Sequence, residues 1–310
     1  MANRQTIDPM RPDPTLAPLS PAPGPAGADV YEAPYTLTRP AGPPAPFLFA
    51  SPHSGSLYPD SMLAALRVPV MDLRRTEDAF VEELFAAAPA AGAILLAARY
   101  GRSVADLNRD PRELDPSMFD GPPPRTCGMP TPRVDAGLGC LPRVASRGVE
   151  IYQRRLTPAE GEARLAQIHD AYHACLGDEL AALRETHGHA VLIDCHSMPS
   201  VQPGRRALAD IVLGDRFGAA CDPRLISRAE RTFRELGFSV ARNTPYAGGY
   251  TTRRYGRPKR GIHALQIEIN RGLYMDEQAV ERLDRFEDIA GAMEVVISNL
   301  LDTALILPKV

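Results

Sequence analysis

Short apolar runs alternate along this chain with longer stretches of helical periodicity, and that alternation is its strongest constraint on fold. The runs lie at residues 47–50, 93–98, 190–194, 210–213, 239–242 and 262–269. Their length suits strands rather than helices. Helical spacing appears at Phe80/Val81/Leu84/Phe85 and at Leu165/Ile168/Tyr172/Cys175/Leu180/Leu183. It recurs at Leu225/Ala229/Phe233/Leu236, closed by Gly237, and at Leu283/Phe286/Ile289/Met293/Val296/Leu300. Strands interleaved with helices in this way predict an α/β fold, a mixed and mainly parallel sheet flanked by helices on both faces.

The 310 residues suffice for one large α/β domain or two ordinary ones. Residues 1–45 hold a large share of the 31 prolines, spaced so that neither helix nor strand persists. We read 1–45 as a Pro-rich disordered tail with at most a few anchored residues, and 46–310 as the folded domain. A net charge of −3 leaves no electrostatic footprint for nucleic acid. No apolar run approaches a membrane span and no signal peptide is visible, so a soluble cytoplasmic protein without membrane or nucleic-acid partners is expected. Cys127, Cys140, Cys175, Cys195 and Cys221 are scattered and include no CxxC pair, which argues against a disulfide framework or a thiolate zinc site.

Four of the apolar runs end in an abrupt polar switch. "LIDCHSMPS" places Asp194, Cys195 and His196 at the end of a strand, and "FLFASPHSGSLYP" places His53 just past another. "AARYGRSVADLNRDPRELD" follows "AILLA" and concentrates Arg102, Asp106, Asn108 and Arg109. "HALQIEINRG" alternates strictly, with Gln266, Glu268 and Asn270 on one face, so Glu268 is either a surface carboxylate of an open sheet or a site residue. Carboxyl ends of strands are where open α/β sheets build their sites.

Together these groups are the parts of a hydrolytic zinc site: two histidines, an acid at the first turn of a helix in "RRTEDAFVEELF", and a strand glutamate. Three N/O ligands leave zinc a fourth position for water, which a nearby carboxylate deprotonates. Arginines then hold an anionic substrate through bidentate hydrogen bonds.

"SPHSGSLYP", "EDAFVEELF", "DLNRDPRELDPSMF", "LIDCHSMPS", "DIVLGDRFG", "NTPYAGGYTTRRYG" and "HALQIEINRGLYMDE" resemble, in order, motifs of the N-formylglutamate amidohydrolase family. That family is more distantly similar to the zinc carboxypeptidases and the succinylglutamate desuccinylase/aspartoacylase group. The resemblance implies a zinc-carboxypeptidase-like fold, a mixed eight-stranded sheet between helices, holding one zinc per chain. It implies His53 and His196 as ligands, with Asp78 as the third and Glu77 as its rival, because position 56 is Ser where the carboxypeptidase pattern has its glutamate. Glu268 matches the general base, Asn108 and Arg109 the α-carboxylate clamp, and Arg102 the carbonyl-polarising arginine at a spacing that differs by a residue. Asp194 matches the acid that orients a ligand histidine. Arg253, Arg254 and Arg271 are candidates for a second substrate carboxylate.

The activity implied is zinc-dependent hydrolysis of an N-acyl amino acid, a small acidic substrate, foremost N-formyl-L-glutamate to formate and L-glutamate. The alternatives are a deacylase of succinyl or acetyl acidic amino acids, a carboxypeptidase-like hydrolase, or a non-catalytic protein that binds an acidic metabolite. "HDAYH" sets His169 and His173 four apart but lacks the glutamate of HExxH, so packing histidines are expected there, with His173 a candidate to support the site from behind its ligands. His187 and His189 are expected to face solvent. Cys195 should point away from Asp194 and His196, as a small buried side chain.

Overall fold

The six apolar runs pair into one sheet, joined by a seventh strand that the proline-rich sequence conceals. The protein is described by a computed structural model covering residues 31–145, 148–201, 208–305 and 307. The strands are β1 (Tyr35–Thr38), β2 (Phe47–Ser51), β3 (Ile94–Ala98), β4 (Ala190–Met198), β5 (Ile211–Gly214), β6 (Val240–Arg242) and β7 (Ile262–Asn270), in the order β1-β3-β2-β4-β7-β5-β6. Pairs β2–β3, β2–β4, β4–β7 and β5–β6 are parallel, while β1–β3 and β5–β7 are antiparallel. A separate hairpin joins β8 (Met275–Asp276) and β9 (Glu281–Arg282). The main sheet thus has seven strands among the described residues, where the family resemblance implies eight.

β1 falls in the stretch read as tail. Tyr35 to Thr38 pair with Ala98 to Leu95, and Tyr31 is buried against Tyr100. The "YTLT" segment lies between Pro34 and Pro40, clear of both rings, and an edge strand needs partners on one side only. The sheet therefore begins before residue 46, and residues 1–30 of the expected tail lie outside the described residues.

The helices are α1 (Asp60–Ala64), α2 (Val70–Arg74), α3 (Val81–Leu84), α4 (Pro132–Asp135), α5 (Pro158–Arg164), α6 (Ala171–His187), α7 (Pro223–Glu235), α8 (Tyr250–Tyr255) and α9 (Phe286–Leu301). A π-helical turn, Leu165–Asp170, joins α5 to α6, and α6 ends at Gly188 in the left-handed conformation (φ 79°) that favours glycine. No helix among the described residues is long and apolar enough to cross a membrane.

Strand alternation divides the interior into two cores. Leu48, Ala50, Ala190, Leu192 and Ala264 pack against α1, α2, α5 and α6, while Phe47, Phe49, Val191, Ile193, Cys195, Leu265, Ile267 and Ile269 pack against α3, α7 and α9. Cys195 is therefore a buried apolar filler, as alternation predicts. His189, expected in solvent, is buried beside His263, and His187 is half-buried with Nε2 against the Pro44 carbonyl.

Candidate metal and active site

The polar groups occupy the same face of the sheet as the first core, one step further along each strand. On β4, Ala190 and Leu192 enter the core and Asp194 and His196 follow; on β7, Ala264 is followed by Gln266 and Glu268. Register sets Asp194 beside Gln266 and His196 beside Glu268 on adjacent parallel strands. β2 lies between β3 and β4, so the chain leaves it in one direction first and the other later, and His53 emerges at that switch point.

Asp78 reaches the site through a turn rather than from the first turn of a helix. Phe80 has φ 67°, a left-handed conformation uncommon for a bulky residue, and it starts α3 two residues beyond Asp78. That reversal sends Val81 and Leu84 into the core while the Asp78 N–H donates to the His53 carbonyl at 3.0 Å.

His53, Asp78 and His196 are buried, with candidate ligand atoms all within 4.8 Å of one another. Asp78 Oδ2 lies 2.9 Å from His196 Nδ1 and 3.3 Å from His53 Nδ1. His53 Nε2 is held by Asp106 at 2.8 Å, whereas its Nδ1 is buried without a hydrogen-bond partner among the described residues. A buried, unsatisfied imidazole nitrogen facing a carboxylate and a second imidazole fits a two-nitrogen, one-oxygen metal set. Glu77 turns elsewhere, bonded to Tyr58 and beside Arg74, and burial pushes its carboxyl up to about 7.

Charged neighbours surround the triad. Arg271 donates Nη2 to Asp78 at 2.8 Å and Nε to Ser197 at 3.1 Å, and Arg102 donates to Asp106 at 2.8 Å. Burial alone would raise the Asp106 carboxyl, but Arg102 and His53 hold it well below the usual range. Asp194 is fully buried, with its Oδ1 3.1 Å from His196 Nε2. Glu268 is raised above the usual carboxylate range chiefly by burial, and Gln266 donates to it at 2.8 Å.

Asn108 links the triad to the substrate side. Its Nδ2 lies 3.1 Å from His196 Nε2, and its Oδ1 accepts the Thr251 N–H at 2.8 Å. A Cβ at Gly249 would come within 2.4 Å of the Asn108 amide, so the "AGGY" turn requires glycine there for close approach. His169 and His173 are not ligands. Their Nε2 atoms bond the carbonyls of Arg109 (3.0 Å) and Leu107 (2.8 Å), bracketing Asn108. Burial pushes His173 down to about 3, so at neutral pH the ring is uncharged and carries its hydrogen on the nitrogen facing that carbonyl.

One cavity of about 390 Å3 is lined by His53, Asp78, His196, Arg102, Asn108, Arg109, Gln266, Glu268 and Arg271, with Arg75 and Arg133 also in its wall. Arg253 and Arg254 do not line it. They are exposed on α8, stacked over the Tyr250 ring, because the six-residue helix turns them outward while burying Thr251 and Thr252. The sequence alone gives no role to Asp106, Gln266, Arg133 or His169. Asp106 carries a local signal as the acid of "DLNR", and Gln266 as a neighbour of Glu268 on the polar face of its strand.

The sequence model of the N-formylglutamate amidohydrolase family matches residues 45–275. A Pseudomonas aeruginosa protein named N-formylglutamate deformylase is 35% identical over 267 residues, covering 84% of this chain and 92% of its own length. A protein of the same name from Pseudomonas putida is 34% identical over the same shares. The crystal structure of N-formylglutamate amidohydrolase from Ralstonia eutropha JMP134 superposes with a TM-score of 0.83 at 35% identity, covering 88% of this chain and 99% of that one. An Agrobacterium tumefaciens gene product, 20% identical with a TM-score of 0.56 over 87% of this chain and 95% of its own, shares the fold.

Proposed function

The chain belongs to the N-formylglutamate amidohydrolase family, and from that premise we propose that it is a zinc hydrolase converting N-formyl-L-glutamate to formate and L-glutamate. The observation that carries this reading is the convergence of the His53/Asp78/His196 group, buried Glu268 and the Asn108–Arg109 pair on one cavity. Mere binding of an acidic metabolite would not call for Glu268 beside the metal set.

His53, Asp78 and His196 would hold the ion, one per chain. Zinc bound there would supply Lewis-acid polarisation of the formyl carbonyl and lower the pKa of a water. Glu268 takes the proton given up as water adds to the formyl carbon, and returns it to the amine nitrogen as the C–N bond breaks. Its raised pKa suits both steps, because a base near neutrality accepts and donates with equal ease. Arg102 faces the carbonyl oxygen as it gains charge. Arg109 and Asn108 bind the α-carboxylate of glutamate, the guanidinium as a planar fork. Asp106 and Asp194 orient and charge-balance the two histidines.

The test is an assay of purified protein on N-formyl-, N-acetyl- and N-succinylglutamate, with metal analysis, before and after chelation and after zinc is restored. Formylglutamate should be turned over fastest, with activity lost on chelation and regained with about one zinc per chain. Turnover that survives complete removal of metal would overturn the metal reading, and faster cleavage of succinylglutamate would move the acyl specificity.

A further inference from the structure

N-formylglutamate carries two carboxylates, and the clamp just described accounts for one. Five arginines line the cavity: Arg75, Arg102, Arg109, Arg133 and Arg271. Three are already engaged. Arg75 donates to Asp72 at 2.8 Å and to the Gln278 carbonyl at 3.0 Å. Arg102 is paired with Asp106, and Arg271 spends its guanidinium on Asp78, Ser197 and the Arg75 carbonyl. Arg109 and Arg133 have no acid within ion-pair distance among the described residues. Arg109 bonds only backbone carbonyls, those of Asn108 (2.9 Å) and Leu138 (3.3 Å).

These two cations are tied to one another through the backbone. Arg133 lies on α4, the Leu138 N–H donates to the Arg133 carbonyl at 2.7 Å, and the Leu138 carbonyl accepts from Arg109 Nε. Both guanidiniums thus line the cavity that contains the triad, linked through the Leu138 backbone and without an ion pair of their own among the described residues. Their repulsion is felt: Arg109 is the main influence drawing the Arg133 guanidinium below its ordinary value, ahead of burial. Like charges held together without a counterion destabilise a protein unless a ligand of opposite sign relieves them.

We propose that Arg133 is a specificity-determining residue that reads the γ-carboxylate of the glutamyl substrate while Arg109 grips the α-carboxylate. This deepens the functional reading above and rests on it. It also relocates the second-carboxylate contact from Arg253, Arg254 and Arg271 to a residue on the Pro-rich loop after β3. A γ-amide has no charge to offset the pair of guanidiniums, so glutamine derivatives are discriminated against on this wall.

The experiment compares wild type with Arg133→Gln and Arg133→Lys on N-formylglutamate and N-formylglutamine. It also measures binding of L-glutamate and L-glutamine to the same proteins by calorimetry. The preference for formylglutamate should fall roughly 10–100-fold in Arg133→Gln, with a smaller fall in Arg133→Lys, which keeps the charge and loses the fork. An unchanged ratio overturns the assignment even if both rates drop. If wild type cleaves neither compound, the functional reading fails on its own, and the binding arm still decides. Glutamate favoured over glutamine in wild type but not in Arg133→Gln supports the subsite, and no such difference overturns it.

Discussion

Glu268 and Asp106 are both buried carboxylates of the site, yet their surroundings push them in opposite directions and give them different expected phenotypes. Glu268 has an uncharged amide donor, Gln266, and burial raises it; Asp106 is held down by Arg102 and His53. Glu268→Gln should retain metal and substrate binding while turnover falls about 10²–10⁴-fold, the usual contribution of a general base. Steady-state kinetics beside metal analysis checks this, and near-normal kcat would remove Glu268 from the mechanism. Asp106→Asn should instead act on the ion. Losing the carboxylate that orients a ligand histidine typically weakens metal affinity about 10–100-fold, which competition against a chromophoric chelator would read without any assay of turnover. Unaltered affinity would mean that Asp106 serves only to anchor Arg102 and the Asn108 N–H.

At the scale of elements, the site depends on segments that carry no catalytic group. The π-turn and α6 present His169 and His173 to the carbonyls on either side of Asn108, and α5 leads into them. α5 begins with a full capping box: Thr157 accepts the Glu160 N–H at 3.2 Å and Glu160 accepts the Thr157 N–H at 2.7 Å. Burial opposes ionisation of Glu160, but Arg154 and Thr157 outweigh it and hold the carboxyl at about 2. Because this folded value lies below the unfolded one, the stabilisation is fully present above about pH 5 and is lost as pH falls toward 2. Thr157→Ala should cost about 1 kcal/mol near neutrality. Glu160→Gln should lower Tm at neutral pH, with its melting curve converging on wild type as the solution is acidified. A gap of constant size down to pH 2 would show that the carboxylate's charge does not matter.

For the whole molecule, the boundary of the folded part has a measurable consequence. A truncation that removes residues 1–40 takes away β1, the buried Tyr31 and the edge-to-face contact of Tyr35 with Tyr172 on α6. Burying one large side chain such as Tyr31 is worth roughly 1.5–3 kcal/mol, and each kcal/mol about 2–4 °C, so Tm should drop by roughly 3–12 °C. A truncation of residues 1–30 leaves those contacts in place, and calorimetry on the pair isolates the contribution of residues 31–40. Equal melting temperatures would show that β1 adds nothing.

Much of the architecture was legible in the linear chain, because strands and amphipathic helices are written in local periodicity. The six expected strands match β2 to β7 within a few residues at each end, and the polar switches after β2, β3, β4 and β7 mark where the cavity lies. β1 escaped because its four residues sit among prolines and alternate between half-buried and exposed, with no apolar run to announce them. Residue types at strand ends also pointed to His53, His196, Asp194 and Glu268, all of which are buried, since a buried polar group at such a position needs a partner. What the linear chain could not express is which partner. Arg271 meets Asp78 across 193 residues, Asp106 meets His53 across 53, and Arg133 on α4 is linked to Arg109 through the Leu138 backbone. Local sequence sets which way a side chain leaves its own strand or turn. Strand order, register and loop closure decide what it meets, and those are products of the folded chain as a whole.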